Sequence, residues 1–112
     1  MVKIKIGNQV VEIAPFSIKE YITEEQIIQA SNDLQKGFVE KQNGFIRREL
    51  VKKSQREYMD IVRWETEYDA LNAMQNAMKD PTCYSFFLLM ENTNHENMVL
   101  NVDQLEILKI YE

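Results

Sequence analysis

The chain has 112 residues, 45% apolar and 28% charged, with a net charge of −5 and a single cysteine. That size favours one domain with its own core, the aromatic content argues against disorder, and no apolar run approaches the ~20 residues that span a bilayer. The acidic balance argues against nucleic acid; with the lone Cys83 and no signal-like start in MVKIKIGNQ, a cytoplasmic location is expected.

Val2, Ile4 and Ile6 alternate with Lys3 and Lys5, the period of a half-buried strand. Gly7-Asn8 offers a two-residue hairpin loop, and Val10 to Ile18 resumes extended character. Pro15 in that run cannot donate to a ladder, which predicts an edge or a bulge. Thr23-Glu24-Glu25-Gln26 has the spacing of a capping box, in which the first and fourth residues satisfy each other's orphan amides. Ile27, Ala30, Ser31, Leu34 and Phe38 then recur at helical spacing, with Ile28 and Val39 beside them, to about Gln42. Gly44 is placed to end that helix, whereas Gly37 inside it weakens it by up to ~1 kcal/mol and signals close packing.

Phe45 to Lys53 and Glu57 to Glu65 are strand-like runs joined by a short polar loop. A three-residue loop, Gln55 to Glu57, would pair Arg47 with Glu65, Glu49 with Arg63 and Lys52 with Asp60, and would stack Arg48 on Trp64. An even loop would set Arg48 against Arg63, so the odd loop is expected. One face then carries Ile46, Arg48, Leu50, Asp60, Val62 and Trp64 and should meet the helices. The other, with Arg47, Glu49, Val51, Met59, Ile61, Arg63 and Glu65, mixes apolar centres with self-complementary charges, as a homodimer contact would.

Thr66 to Asp69 opens a second helix with the stripe Ala70, Leu71, Met74, Ala77 and Met78. Asp80-Pro81 ends it and caps a third, which carries Tyr84, Phe86, Phe87, Leu89 and Met90 and is too apolar for a surface. Asn92 to Asn97 reads as loop, and Met98 to Tyr111 as a final strand bent near Asp103. The order βαββαβ, with an added N-terminal strand and a short extra helix, predicts one α+β domain of ferredoxin-like architecture over residues 1–112: an antiparallel sheet with helices on one face.

Gly44-Phe45-Ile46-Arg47-Arg48-Glu49-Leu50, Tyr58-Met59-Asp60-Ile61-Val62-Arg63-Trp64-Glu65 and Asp69-Ala70 together resemble the antibiotic biosynthesis monooxygenase-like group of dimeric α+β barrels. Pro81-Thr82-Cys83 with Phe86-Phe87 is similar to a short third helix in many small members of that group. The resemblance covers roughly Val10 to Val102 and implies a dimeric α+β barrel. It further implies a pocket for a phenolic or aromatic molecule and oxygenation with no cofactor. Some members place Asn four residues before a Trp; here the pair is Asp60 and Trp64. Haem-degrading members need Trp and His on the second helix, and Glu67 to Lys79 has neither, so haem degradation is disfavoured. Asn101 stands near the place where many relatives carry a His on the last strand.

The candidate ligand-binding residues are therefore Phe38, Arg48, Trp64, Phe87 and Asn101. For an enzyme, Arg48 would stabilise a phenolate, Asp60 would assist proton removal, and Trp64 would wall the site. Each has a plainer reading: Trp64 as core packing, Asp60 as a partner for Lys52, and Arg48 as a stacked or snorkelling side chain. The alternative function is a non-catalytic ligand-binding or assembly module on the same fold. His95, in a polar loop with no second histidine in the chain, and Cys83, with no neighbouring base, read as an exposed loop residue and a buried thiol. No metal site and no membrane partner are expected. Arg47, Arg48, Lys52, Lys53 and Arg56 cluster on one hairpin, but interleaved carboxylates make a charge-paired ladder the better account.

Overall fold

The structure, a computed structural model, describes residues 7–96, 98 and 100–112. The strand expected at Val2 to Ile6 lies outside the described residues. The element order is β1 (Val10–Ser17), α1 (Glu24–Gly37), a 3₁₀ turn (Val39–Lys41), β2 (Phe45–Ser54), β3 (Glu57–Trp64), α2 (Glu67–Ala77), α3 (Pro81–Phe87) and β4 (Asp103–Glu106). The sheet runs β2-β3-β1-β4 with antiparallel neighbours. This is the expected ferredoxin-like α+β architecture, with β3 inserted between the parallel β1 and β2.

Local chemistry accounts for the helix starts. The Thr23 Oγ1 accepts from the Gln26 amide at 3.2 Å while the Thr23 amide donates to Gln26 Oε1 at 2.8 Å, the reciprocal capping box. Thr66 Oγ1 accepts from the Asp69 amide, and Asp80 caps α3 through the amides of Thr82 and Cys83 with Pro81 in the first turn. Gly37 faces Thr82 of α3: a Cβ there would lie 3.5 Å from the threonine methyl, ordinary contact distance. Pro15 pairs with Met59 of β3, and β4 reaches only as far as Ile13, so on its other side the proline sits at an open edge.

The hairpin register differs from the expected one. Arg48 lies opposite Val62, Leu50 opposite Asp60 and Lys52 opposite Tyr58, and the ladder shifts between Lys52 and Ser54. The turn is Gln55-Arg56, with Arg56 at φ 68. Arg47 consequently faces Arg63, a like-charge pair, and Arg47 instead meets Glu49 at 3.3 Å. Lys52 reaches Glu24 of α1 at 2.8 Å rather than Asp60, and Arg48 lies over Phe86 rather than Trp64. Exposed charge pairs contribute too little to fix a register. The turn and the burial of Arg48 with Asp60 decide it. The offset from the expected register is two residues, so the face assignment survives from Arg47 onward, while the shift between Phe45 and Arg47 sets Phe45, rather than Ile46, against the core.

Two further expectations need correction. The last strand is only Asp103–Glu106, because it pairs solely with Val10 to Ile13 of β1. Along α2 the contact runs through Ala70 and Ala73, which are buried, whereas Leu71 and Met78 are exposed. The core joins α1 (Ile27, Leu34), the inner sheet face (Val10, Tyr58, Val62, Trp64) and α3 (Cys83, Phe86).

Candidate active site

Between the inner sheet face and the helices lies a cavity of about 110 Å³. β1 contributes Glu12 and Ala14, β2 Arg48, and β3 Asp60, Val62 and Trp64. Phe38 closes the end after α1, Met74 comes from α2 and Met78 from just past its end, Phe87 from α3, and Leu100 and Asn101 from the segment before β4. Among the described residues the wall is apolar apart from one cluster, Glu12, Arg48 and Asp60, and the Asn101 rim. All five candidate ligand residues and Asp60 thus lie on one cavity. Asn101 is solvent-exposed and precedes β4 instead of standing on it.

Arg48 and Asp60 form a buried bidentate pair, Nε to Oδ1 at 2.9 Å and Nη2 to Oδ2 at 3.1 Å. Their side chains are 6% and 13% exposed. Arg48 also donates from Nη2 to Ser31 Oγ at 2.8 Å and from Nη1 to the Ser31 carbonyl at 3.1 Å and Gln35 Oε1 at 3.5 Å. A guanidinium has five N–H groups, and here each has an acceptor. Arg48 therefore has no donor left for a bound anion, the role expected of it; it ties β2 and Asp60 to α1. Burial pushes the Asp60 carboxyl above its ordinary value, and the charge and hydrogen bonds of Arg48 oppose that rise.

Glu12 is the residue that sequence reasoning missed. Its Oε2 accepts from Trp64 Nε1 at 2.9 Å. Burial raises its pKa, the Trp64 bond partly offsets this, and the nearby Asp60 charge adds to it. The signal was present in the sequence: Val10, Glu12, Ala14 and Phe16 share one strand face, and only Glu12 breaks its apolar character. Trp64 also meets Phe45 edge-on, ring centroids 6.0 Å apart.

His95 is exposed, with Nδ1 2.6 Å from the Tyr84 hydroxyl. Among the described residues no group of three or more His, Cys, Asp or Glu is arranged to hold a metal ion, and no helix is long and apolar enough to cross a membrane. Cys83 is fully buried, and burial first, then Asp80, pushes its thiol up to about 12. The native thiol is accordingly expected to ignore an aromatic disulfide reagent at pH 8 and to react only on unfolding. Prompt reaction of the folded protein would contradict that burial. Because the folded-state value is raised, the linked stability is intact below the ordinary thiol value of 9.0 and falls as pH rises towards 12.

No family model matches the chain, and no curated protein matches it in sequence. Solved structures do match. SnoaB, a cofactor-independent oxygenase from Streptomyces nogalater, superimposes with TM-score 0.72 at 13% identity, over 93% of this chain and 97% of that one. A protein named as a candidate antibiotic biosynthesis monooxygenase from Nitrosomonas europaea gives 0.66 at 13% identity, over 92% and 93%. A structural-genomics protein, YjcS, gives 0.62 at 13%, over 88% and 98%. The chain is thus built on the same ferredoxin-like α+β fold as these structures, one of which is named for antibiotic biosynthesis monooxygenase activity.

Proposed function

We propose that the cavity binds a small hydroxyaromatic molecule and oxygenates it with dioxygen, without a cofactor. The observation that carries this reading is an apolar cavity whose one polar wall holds two carboxylates, Glu12 and Asp60. The cavity, about 110 Å³ with the exposed Asn101 on its lining, is smaller than the apolar cavity of about 150 Å³ that takes up benzene, so a single ring is the largest ligand core it would take. Phe38, Trp64 and Phe87 would wall the ring, and the hydroxyl would point at the carboxylates. A hydroxyarene and one dioxygen give a quinone and water: the hydroxyl and ring hydrogens leave with one oxygen atom, and the other stays on the ring. The similarity to a cofactor-independent oxygenase is of fold alone, and it supports the reaction class only as analogy.

The test is oxygen uptake by the purified protein with single-ring phenols and diols, followed alongside quinone absorbance. Uptake matched by quinone, and lost in Trp64→Ala, is expected. Binding without uptake would favour the second reading, a non-catalytic binding module, which the full occupancy of the Arg48 donors supports.

The same proposal includes a second copy of the chain over the open sheet face. Rows Val51–Met59–Pro15 and Glu49–Ile61–Ile13 cross that face with apolar centres, and Val51 and Leu105 are exposed beside them. Arg47, Glu49, Arg63 and Glu65 would frame the contact. Native mass spectrometry is expected to give a dimer that Ile61→Glu converts to monomer; a wild-type monomer would contradict it.

A further inference from the structure

Of the two carboxylates on the cavity wall, one is spent and one is half-used. Asp60 gives both oxygens to Arg48. Glu12 gives Oε2 to Trp64 Nε1 at 2.9 Å, and among the described residues Oε1 has no hydrogen-bond partner. We infer that Glu12, and not Asp60, is the proton acceptor of this cavity, taking the hydroxyl proton of a bound phenol on Oε1. The inference rests on the hydroxyaromatic reading of the cavity.

The fold positions Glu12 for that role. In the β1–β3 ladder Glu12 lies opposite Val62, and Asp60 lies opposite Ala14. The two carboxylates are therefore diagonal neighbours on the inner face, somewhat closer than about 7–8 Å at Cβ. The indole N–H clamps one oxygen of Glu12, fixes the rotation of the carboxylate and leaves the other oxygen for the cavity. Asp60, ionised against Arg48, adds like charge close by and so raises the proton affinity of Glu12. A stronger carboxylate base is better matched to a phenol. In the step, the phenol O–H bond breaks, an O–H bond forms at Oε1, and the negative charge passes from Glu12 to the phenolate oxygen. Among the described residues, Arg48, Asp60 and Cys83 are the other ionisable groups on the cavity wall.

Trp64 is the only tryptophan and touches Glu12 directly, so its emission reports the Glu12 charge. The experiment titrates Trp64 fluorescence with pH in the wild-type chain, with and without phenol at saturation as measured by calorimetry. A transition is expected with a midpoint above the ordinary Glu value. Phenol donating to the ionised Oε1 should move it down by about one to two pH units. Glu12→Gln, checked for folding by circular dichroism, should abolish the transition. Phenol that binds without moving the midpoint would overturn the role of Glu12 and leave the cavity reading intact. Phenol that does not bind would overturn both. A transition persisting in folded Glu12→Gln would overturn the assignment of the base.

Discussion

Replacing Arg48 by Met is expected to destabilise the domain by about 3–5 kcal/mol at neutral pH, the usual effect of removing one member of a buried pair. The side chains are 6% and 13% exposed, so solvent screens little of the interaction. Loss of Arg48 strands the Asp60 carboxylate and leaves Ser31 Oγ, the Ser31 carbonyl and Gln35 without their donor. The pH dependence follows from sign. Asp60 already sits above its ordinary value, and Arg48 is what holds it down. In the variant the native state therefore binds its proton more tightly still, while the unfolded state is unchanged. The deficit should shrink towards acid pH, where Asp60 is neutral in both states, and grow as pH rises past the ordinary Asp range. Urea denaturation of Arg48→Met at pH 4.5 and pH 8 measures this. Arg48→Met/Asp60→Leu should recover most of the loss, since the stranded charge is gone. A single variant within about 0.5 kcal/mol of wild type at pH 8 would show that the pair is not coupled as described.

Gly44→Ala is expected to cost about 2–4 kcal/mol, from two separable causes. Gly44 sits at φ 81, where a Cβ is strained against the backbone. That Cβ would also collide with the Asp69 carboxylate, whose Oδ2 accepts from Thr66 Oγ1 at 2.9 Å in the α2 cap. The Gly44 carbonyl accepts from the Glu65 amide at 2.8 Å, so the turn cannot move without loosening the start of β2 against the end of β3. Adding Asp69→Gly, which also removes the Asp69 Cβ that would lie 2.6 Å from the new methyl, should relieve the collision but not the backbone strain. The double variant should thus be less destabilised than the sum of the singles, measured by thermal unfolding. Strict additivity would mean that the collision is absent.

Element order and face assignment were legible because they depend on local signals. The Thr23–Gln26 box, Asp80-Pro81 and the alternation in β2 and β3 each act within a few residues. Register was not legible. The charges on Arg47, Glu49 and Arg63 pointed to a pairing two residues away, because exposed pairs weigh less than the turn at Gln55-Arg56 and the Arg48–Asp60 pair. The last strand was overextended for a related reason: Ile107 to Tyr111 is apolar enough for a strand, yet β1 offers β4 only four ladder positions. The cavity positions of Phe38, Trp64, Phe87 and Asn101 are legible through resemblance and aromatic pattern. Glu12 is less legible because the apolar content of Val10 to Ile18 dominates that run and masks the one residue that interrupts its inner face.

The proposed oxygenation requires a cavity that admits a small hydroxyaromatic ligand. Carbon-13 labelling of the methionine methyl groups, followed by an NMR titration with phenol, tests this most directly. Met74, Met78 and Met90 line the cavity, whereas Met59 lies on the opposite, open face of the sheet. Saturable shifts at the first three with Met59 unmoved are the expected result. No saturable shift, or one confined to Met59, would contradict the account.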